Sequence, residues 1–195
     1  MKKLMMLFCV ALLSVGASAQ EYYEEEYEGA QAGDWAIGLN LGMGFGSIPN
    51  AVNHDSTEGY VNFGLMPKVQ YYITDAFRPE VSFGYFIENK HQSYWDININ
   101  FHYLFHMKYG IYIYPILGAT FQHRHYDFSK DAAIKADLEL KGEPVKDNEG
   151  RFGLNAGAGM QYDITPNLYC NLEMKYQYVK EFGRGILQVG IGYRF

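Results

Sequence analysis

The sequence predicts an all-β fold, an eight-stranded antiparallel up-and-down transmembrane β-barrel formed by residues 34–195 of a 195-residue chain. Three observations carry this expectation. Apolar and polar residues alternate singly in eight runs of about ten residues, the period of a strand whose two faces meet different surroundings. Hydrophobic residues make up 48% of the chain and aromatic ones 17%, yet mean hydropathy is only -0.23, so the apolar side chains are interleaved with polar ones rather than massed into membrane helices. The chain also stops on Phe195 inside its last alternating run, QVGIGYRF, where most soluble domains end in a polar, frayed tail.

Residues 1–19 form the first element. Lys2 and Lys3 precede an apolar stretch over residues 4–15 and the small residues Ala17, Ser18 and Ala19, the pattern of a secretory signal peptide cut after Ala19. The apolar stretch is shorter than the roughly 20 residues a membrane-spanning helix needs. Cys9 lacks the small-residue context of a lipid-anchor site. Removing the leader takes two of the 16 basic residues and none of the 22 acidic ones, leaving a formal charge of -8 and Cys170 as the lone thiol. No internal disulfide is then available. The acidity argues against nucleic acid as a partner, because phosphate backbones reward clustered Lys and Arg. Residues 20–33, rich in Glu and Tyr, read as a flexible acidic tail, with calcium or partner binding as the alternative.

The barrel strands follow in order. WAIGLNLGMGF places Trp35, Ile37, Leu39, Leu41, Met43 and Phe45 on one face against Ala36, Gly38, Asn40, Gly42 and Gly44 on the other. The same alternation marks residues 61–73, 77–85, 94–105, 152–164, 168–178 and 186–195. Residues 111–124 are apolar on both faces, and their register stays open, with Gly118 and Thr120 suggesting the crowded side. Connections at about 47–59, 86–93, 127–150 and 180–185 are longer, whereas those after the second, fourth and sixth strands are tight. Long loops on one rim, short turns on the other and both termini on the short side are the layout of an outer-membrane barrel. Pro67, Pro79 and Pro115 each remove a ladder hydrogen bond, and bulges are expected there.

Alternation alone also fits a water-soluble barrel with an apolar interior. Room decides between them. Each strand carries on the order of six large apolar side chains on one face, and eight strands enclose little more space than their own side chains fill. The apolar face therefore looks outward at lipid, and the face rich in Gly, Asn and Gln converges on the axis. Lys68, Arg78, Lys175 and Arg194 then share the interior with Glu80, Asp96, Asp163 and Glu173, a balanced set expected to pair. A conducting pore is the alternative, against which eight strands are plugged by their own side chains. Trp35, Tyr71, Tyr72, Tyr85, Tyr94, Trp95, Tyr162, Tyr176, Tyr178 and Tyr193 lie near strand ends, as interfacial girdles do.

The last residues explain why the chain ends as it does. Gln188, Gly190, Tyr193 and Phe195 resemble the C-terminal assembly signal of outer-membrane barrels, which implies that the barrel-assembly machinery recognises the final strand. Over residues 35–195 the chain is similar to the OmpA/OmpX-type small barrels of the Gram-negative cell envelope. It departs from full-length OmpA in having no periplasmic peptidoglycan-binding domain after the barrel, so tethering to the cell wall through such a domain is not expected.

Chemistry is sparse. No phosphate loop, paired-Cys metal site or nucleophile elbow occurs, and no cofactor is expected. His123 and His125 share a face at a spacing that suits a metal, with His54 or His91 to complete it, but rim histidines are more often interfacial or solvated. His102 and His106 are expected to hydrogen-bond in the interior. Two functions follow. The first is a non-enzymatic barrel that anchors loops, above all residues 127–150, for contact with an extracellular ligand. The second is a lipid A-modifying enzyme using His123, His125 and Ser129, with a narrow porin as a further alternative. No motif matches the enzyme families.

Overall fold

The computed structural model describes residues 29–49, 57–89, 92–127, 146–180 and 183–195, with 129, 135–136, 139–140 and 142 between them. The expected signal peptide and most of the acidic tail lie outside the described residues.

Eight strands close into a barrel: β1 (Trp35–Pro49), β2 (Thr57–Tyr71), β3 (Phe77–Asn89), β4 (Gln92–Tyr103), β5 (Ile111–Asp127), β6 (Lys146–Asp163), β7 (Leu168–Val179) and β8 (Arg184–Arg194). A two-residue segment, Phe105–His106, prolongs β4 and pairs with Ile113 and Tyr112 of β5. All neighbours are antiparallel, and β1 pairs with β8 from Ala36↔Arg194 to Gly46↔Arg184. Closure gives every strand a paired neighbour on both sides, as a bilayer without water demands. Even the shortest strand, β8, has 11 residues, enough for a hydrocarbon core that takes about 9–11 tilted residues.

Sidedness follows the pattern in the sequence. Asn40, Lys68, Glu80, Asn98, Gln161 and Glu173 are buried toward the axis, while Leu41, Phe63 and Ile191 are 63%, 65% and 58% exposed on the outer wall. A soluble barrel would show the reverse. In β5 the open register resolves with Tyr112, Tyr114, Ile116, Thr120, Gln122 and Arg124 inward.

Four expectations are corrected. The lumen is not narrowed by small residues alone; large side chains are seated over them. A Cβ on Gly44 would lie 2.1 Å from Tyr94 Oη, one on Gly159 2.4 Å from the Tyr114 ring, and one on Gly192 2.1 Å from the Tyr169 ring. The glycines are sockets for aromatic rings. Tyr72 and Tyr94, expected in the girdles, are accordingly lumen residues, leaving Trp35, Tyr85, Tyr162, Tyr176, Tyr178 and Tyr193 exposed on the outer wall. The prolines need no bulges: Pro67 interrupts the β2–β3 ladder at Met66 and Pro67, which resumes at Lys68↔Ser82 in the same register, and Pro79 and Pro115 stand opposite Phe101 and Ala158 in unbroken ladders. The β3–β4 connection is not a long loop, because alternation continues on both sides and leaves only residues 90–91 between the strands. Among the described residues, a register shift falls in that hairpin, between Phe86 and Asn89.

Candidate functional site

Strand alternation delivers polar side chains from every strand into one column, and packing sorts them into tiers. At the end nearest the termini, Arg78 Nη1 donates to Tyr72 Oη (2.7 Å) and Gln161 Oε1 (2.7 Å), and its guanidinium reaches His102 Nδ1 at 3.1 and 3.3 Å. Nδ1 is then the acceptor, which puts the His102 proton on Nε2. Arg194 Nη2 bonds Asp163 Oδ2 (3.1 Å), and Arg194 Nη1 bonds Pro166 O (2.9 Å) in the β6–β7 turn.

The middle tier centres on Lys68, whose Nζ lies 2.8 Å from Glu173 Oε1 and 3.3 Å from Glu80 Oε2. Glu173 also accepts from Tyr114 Oη (2.7 Å), Asn171 Nδ2 (3.0 Å) and the Gln188 amide, and Glu80 from Gln70 (2.6 Å) and Asn100 (3.0 Å). In the tier nearest the long loops, Asp96 pairs with Arg184 and accepts from Asn98 (2.7 Å) and Gln177 (3.2 Å). Arg184 lies 3.6 Å over the Tyr94 ring and 4.6 Å over Phe86. Arg124 donates to Tyr60 Oη (3.1 Å).

All eight charged residues singled out in the sequence lie in the lumen. Their pairing differs from a simple balance. Arg124 and Arg184 are buried there too, so six cations face four carboxylates. Arg184 falls within the 180–185 connection expected from the sequence; the β1–β8 ladder runs on to Gly46↔Arg184 and carries it into the lumen. Arg78 has no carboxylate within ion-pair distance among the described residues; it sits 5.3, 5.0 and 6.0 Å from the ring centres of Tyr72, Tyr114 and Tyr169. Aromatic faces thus carry the Arg78 charge, an interaction worth about 2 kcal/mol when desolvated. Lys175 is buried with no ion pair among the described residues.

The four residues of the assembly signal divide by face. Gln188 and Gly190 face inward, Gly190 against the Asn40 amide, whereas Tyr193 and Phe195 stand on the outer wall, 50% and 63% exposed. Phe195 closes the seam through Phe195 N–H to Trp35 O (2.9 Å) and Trp35 N–H to Phe195 O (3.1 Å).

The histidines do not converge. His123 stacks on Trp95 (5.1 Å), His125 Nδ1 bonds Asn148 Oδ1 (2.7 Å), and Ser129 bonds Asp127. His54 and His91 lie outside the described residues, among which no group of three metal-ligating side chains forms. His102 is an interior hydrogen-bonder as expected, but His106 is exposed and packs its ring on Tyr112 (4.9 Å), because the break at Leu104 carries it out to the rim.

Beyond the membrane span the strands continue unevenly. β5 and β6 have 17 and 18 residues and pair to their tips at Asp127↔Lys146, whereas the β6–β7 ladder ends at Gly153↔Val179. Residues 146–152 of β6 thus extend, paired with β5, past the end of the β6–β7 ladder.

A closed barrel with a polar, charge-bridged lumen, an apolar outer wall and both termini on one rim defines an outer-membrane β-barrel protein. The family model of the outer membrane protein beta-barrel domain matches residues 7–195, and the chain belongs to that family, which places it in the outer membrane of the Gram-negative envelope. No curated protein matches the chain. Among solved structures, Neisserial surface protein A is similar at 16% identity and TM-score 0.62, covering 84% of this chain and 98% of its own. OprG of Pseudomonas aeruginosa is similar at 14% and 0.61, covering 87% and 99%. Ail, the attachment invasion locus protein of Yersinia pestis, is similar at 16% and 0.58, covering 85% and 100%, and has also been solved with the heparin analogue sucrose octasulfate.

Proposed function

We propose that this protein is a closed, non-enzymatic outer-membrane barrel that binds an extracellular ligand through the hairpin of β5 and β6. The observation that carries the reading is the reach of this hairpin, whose strands pair as far as Asp127↔Lys146 while the β6–β7 ladder stops at Gly153↔Val179. The ligand class is a protein of the extracellular surroundings. The complex of Ail with a heparin analogue supports extracellular binding as a use of this architecture.

The remaining parts of the reading concern export and chemistry. A signal peptide cut after Ala19 delivers the chain, the assembly machinery engages the strand ending in Phe195, and membrane lipid covers the outer wall. The lumen is plugged by the tiers built on Arg78, Lys68 and Arg184. The separate engagements of His123, His125 and Ser129 favour a non-catalytic role over lipid A modification.

The test is a shortened hairpin in which residues 124–149 are replaced by an Asn-Gly turn. Cells displaying the native protein are expected to adhere to immobilised extracellular-matrix protein, and cells displaying the shortened barrel, verified as folded by heat-modifiable gel migration, are expected to lose that adhesion. Equal adhesion by both would refute the hairpin as the binding element.

A further inference from the structure

The chain just before β1 is not a loose lead into the barrel. Gly33 N–H donates to Tyr72 O (2.8 Å) and Tyr72 N–H to Asp34 O (2.9 Å), carrying the β1–β2 ladder past its last pair, Trp35↔Tyr71. There the chain reverses. Asp34 N–H bonds Gln31 O (3.2 Å), Gln31 N–H bonds Asp34 Oδ2 (2.9 Å), and Gly33 takes φ 98°, a backbone region that side chains disfavour.

The reversal has two consequences. Ala32 N–H reaches Asp75 Oδ1 (2.8 Å) in the turn between β2 and β3. Ala30 swings inward, 8% exposed, into the buried cluster that includes Ala36, Tyr72, Leu104, Tyr112 and Tyr169. Leu104 enters the same cluster from the β4–β5 side, where its N–H bonds Ala76 O (2.6 Å). A solvated tail has no cause to commit the N–H groups of Ala32 and Gly33 and an apolar side chain to the barrel mouth.

We propose that residues 30–34 are a lid over the periplasmic mouth of the lumen, turned at Gly33 and latched on Asp75. It closes the barrel at a level below the Arg78 tier and uses none of the charged lumen residues. The lid is a separate device from the surface hairpin, and either can fail alone.

Hydrogen exchange and thiol labelling test it on the full mature chain in lipid nanodiscs. In the native protein the amides of Gly33 and Tyr72 are expected to be protected. Loss of the latch in Asp75→Ala is expected to speed their exchange about fivefold, from the usual contribution of one hydrogen bond. Gly33→Val is expected to speed it about tenfold or more, since a β-branched residue at positive φ is strained. No atom lies within 4 Å of a Cβ at Gly33, so that variant reports backbone conformation and not a clash. Val69, deep in the β1–β2 ladder, should be unaffected in both. In a Cys170→Ser background, Ala36→Cys should react with a charged methanethiosulfonate faster when either lid variant is added. The lid is refuted if Gly33 and Tyr72 exchange at unfolded-peptide rates in the native protein, a measurement that needs no variant. It is equally refuted if Ala36→Cys labels at one rate with and without the lid changes.

Discussion

Glu173→Ala is expected to lower barrel stability by about 3–5 kcal/mol, the usual cost of breaking a buried ion pair by removing one partner. The carboxylate accepts from Lys68, Tyr114, Asn171 and Gln188, so its loss takes this acceptor from four buried donors. Lys68 keeps only Glu80. The measurement is urea unfolding in lipid vesicles, followed by the shift between folded and unfolded gel bands. The triple replacement Lys68→Met, Glu80→Leu and Glu173→Leu separates pairing from hydrogen bonding: it is expected to recover the part of the loss due to the unpaired Lys68 charge, and not the part due to Tyr114, Asn171 and Gln188, which still lack their acceptor. A Glu173→Ala barrel as stable as the native one would remove the middle tier from the account.

Asp96→Ala is expected to act on both stability and permeation. Arg184 loses its carboxylate and retains the Gln177 carbonyl and the faces of Tyr94 and Phe86, so the outer tier becomes an uncompensated charge and draws water. The cost is again about 3–5 kcal/mol. In planar bilayers the native protein is expected to show no stable open level, and Asp96→Ala to show brief openings. A steady open level in the native protein would contradict the plugged lumen. A silent, fully stable Asp96→Ala would show that the pair does not hold the outer tier.

Much of this fold was legible in the sequence because a strand with two environments writes a two-residue period into the chain. The strand count, the sidedness and the eight lumen charges all follow from that period. What it hides is size. Gly44, Gly159 and Gly192 read as small because the rings they seat, Tyr94, Tyr114 and Tyr169, lie on other strands, and a single sequence carries no register between strands. The same blindness produced a neutral lumen on paper. Arg124 and Arg184 fall where alternation fades into the rim, and their aromatic partners leave no mark that pairs with them in sequence. The lid was hidden for a different reason: residues 30–34 are held by main-chain groups, which every residue possesses.

The most direct test of the inverted wall uses unmodified protein in lipid nanodiscs, with magnetisation transfer measured from lipid acyl-chain protons to side-chain methyls. Leu41, Val69, Ile97, Val189 and Ile191 are expected to receive it, and Met66, Ile116 and Ile186, all buried in the lumen, to receive none. Transfer to Ile116 and Ile186 with silence at Leu41 and Ile191 would turn the barrel inside out and end the account.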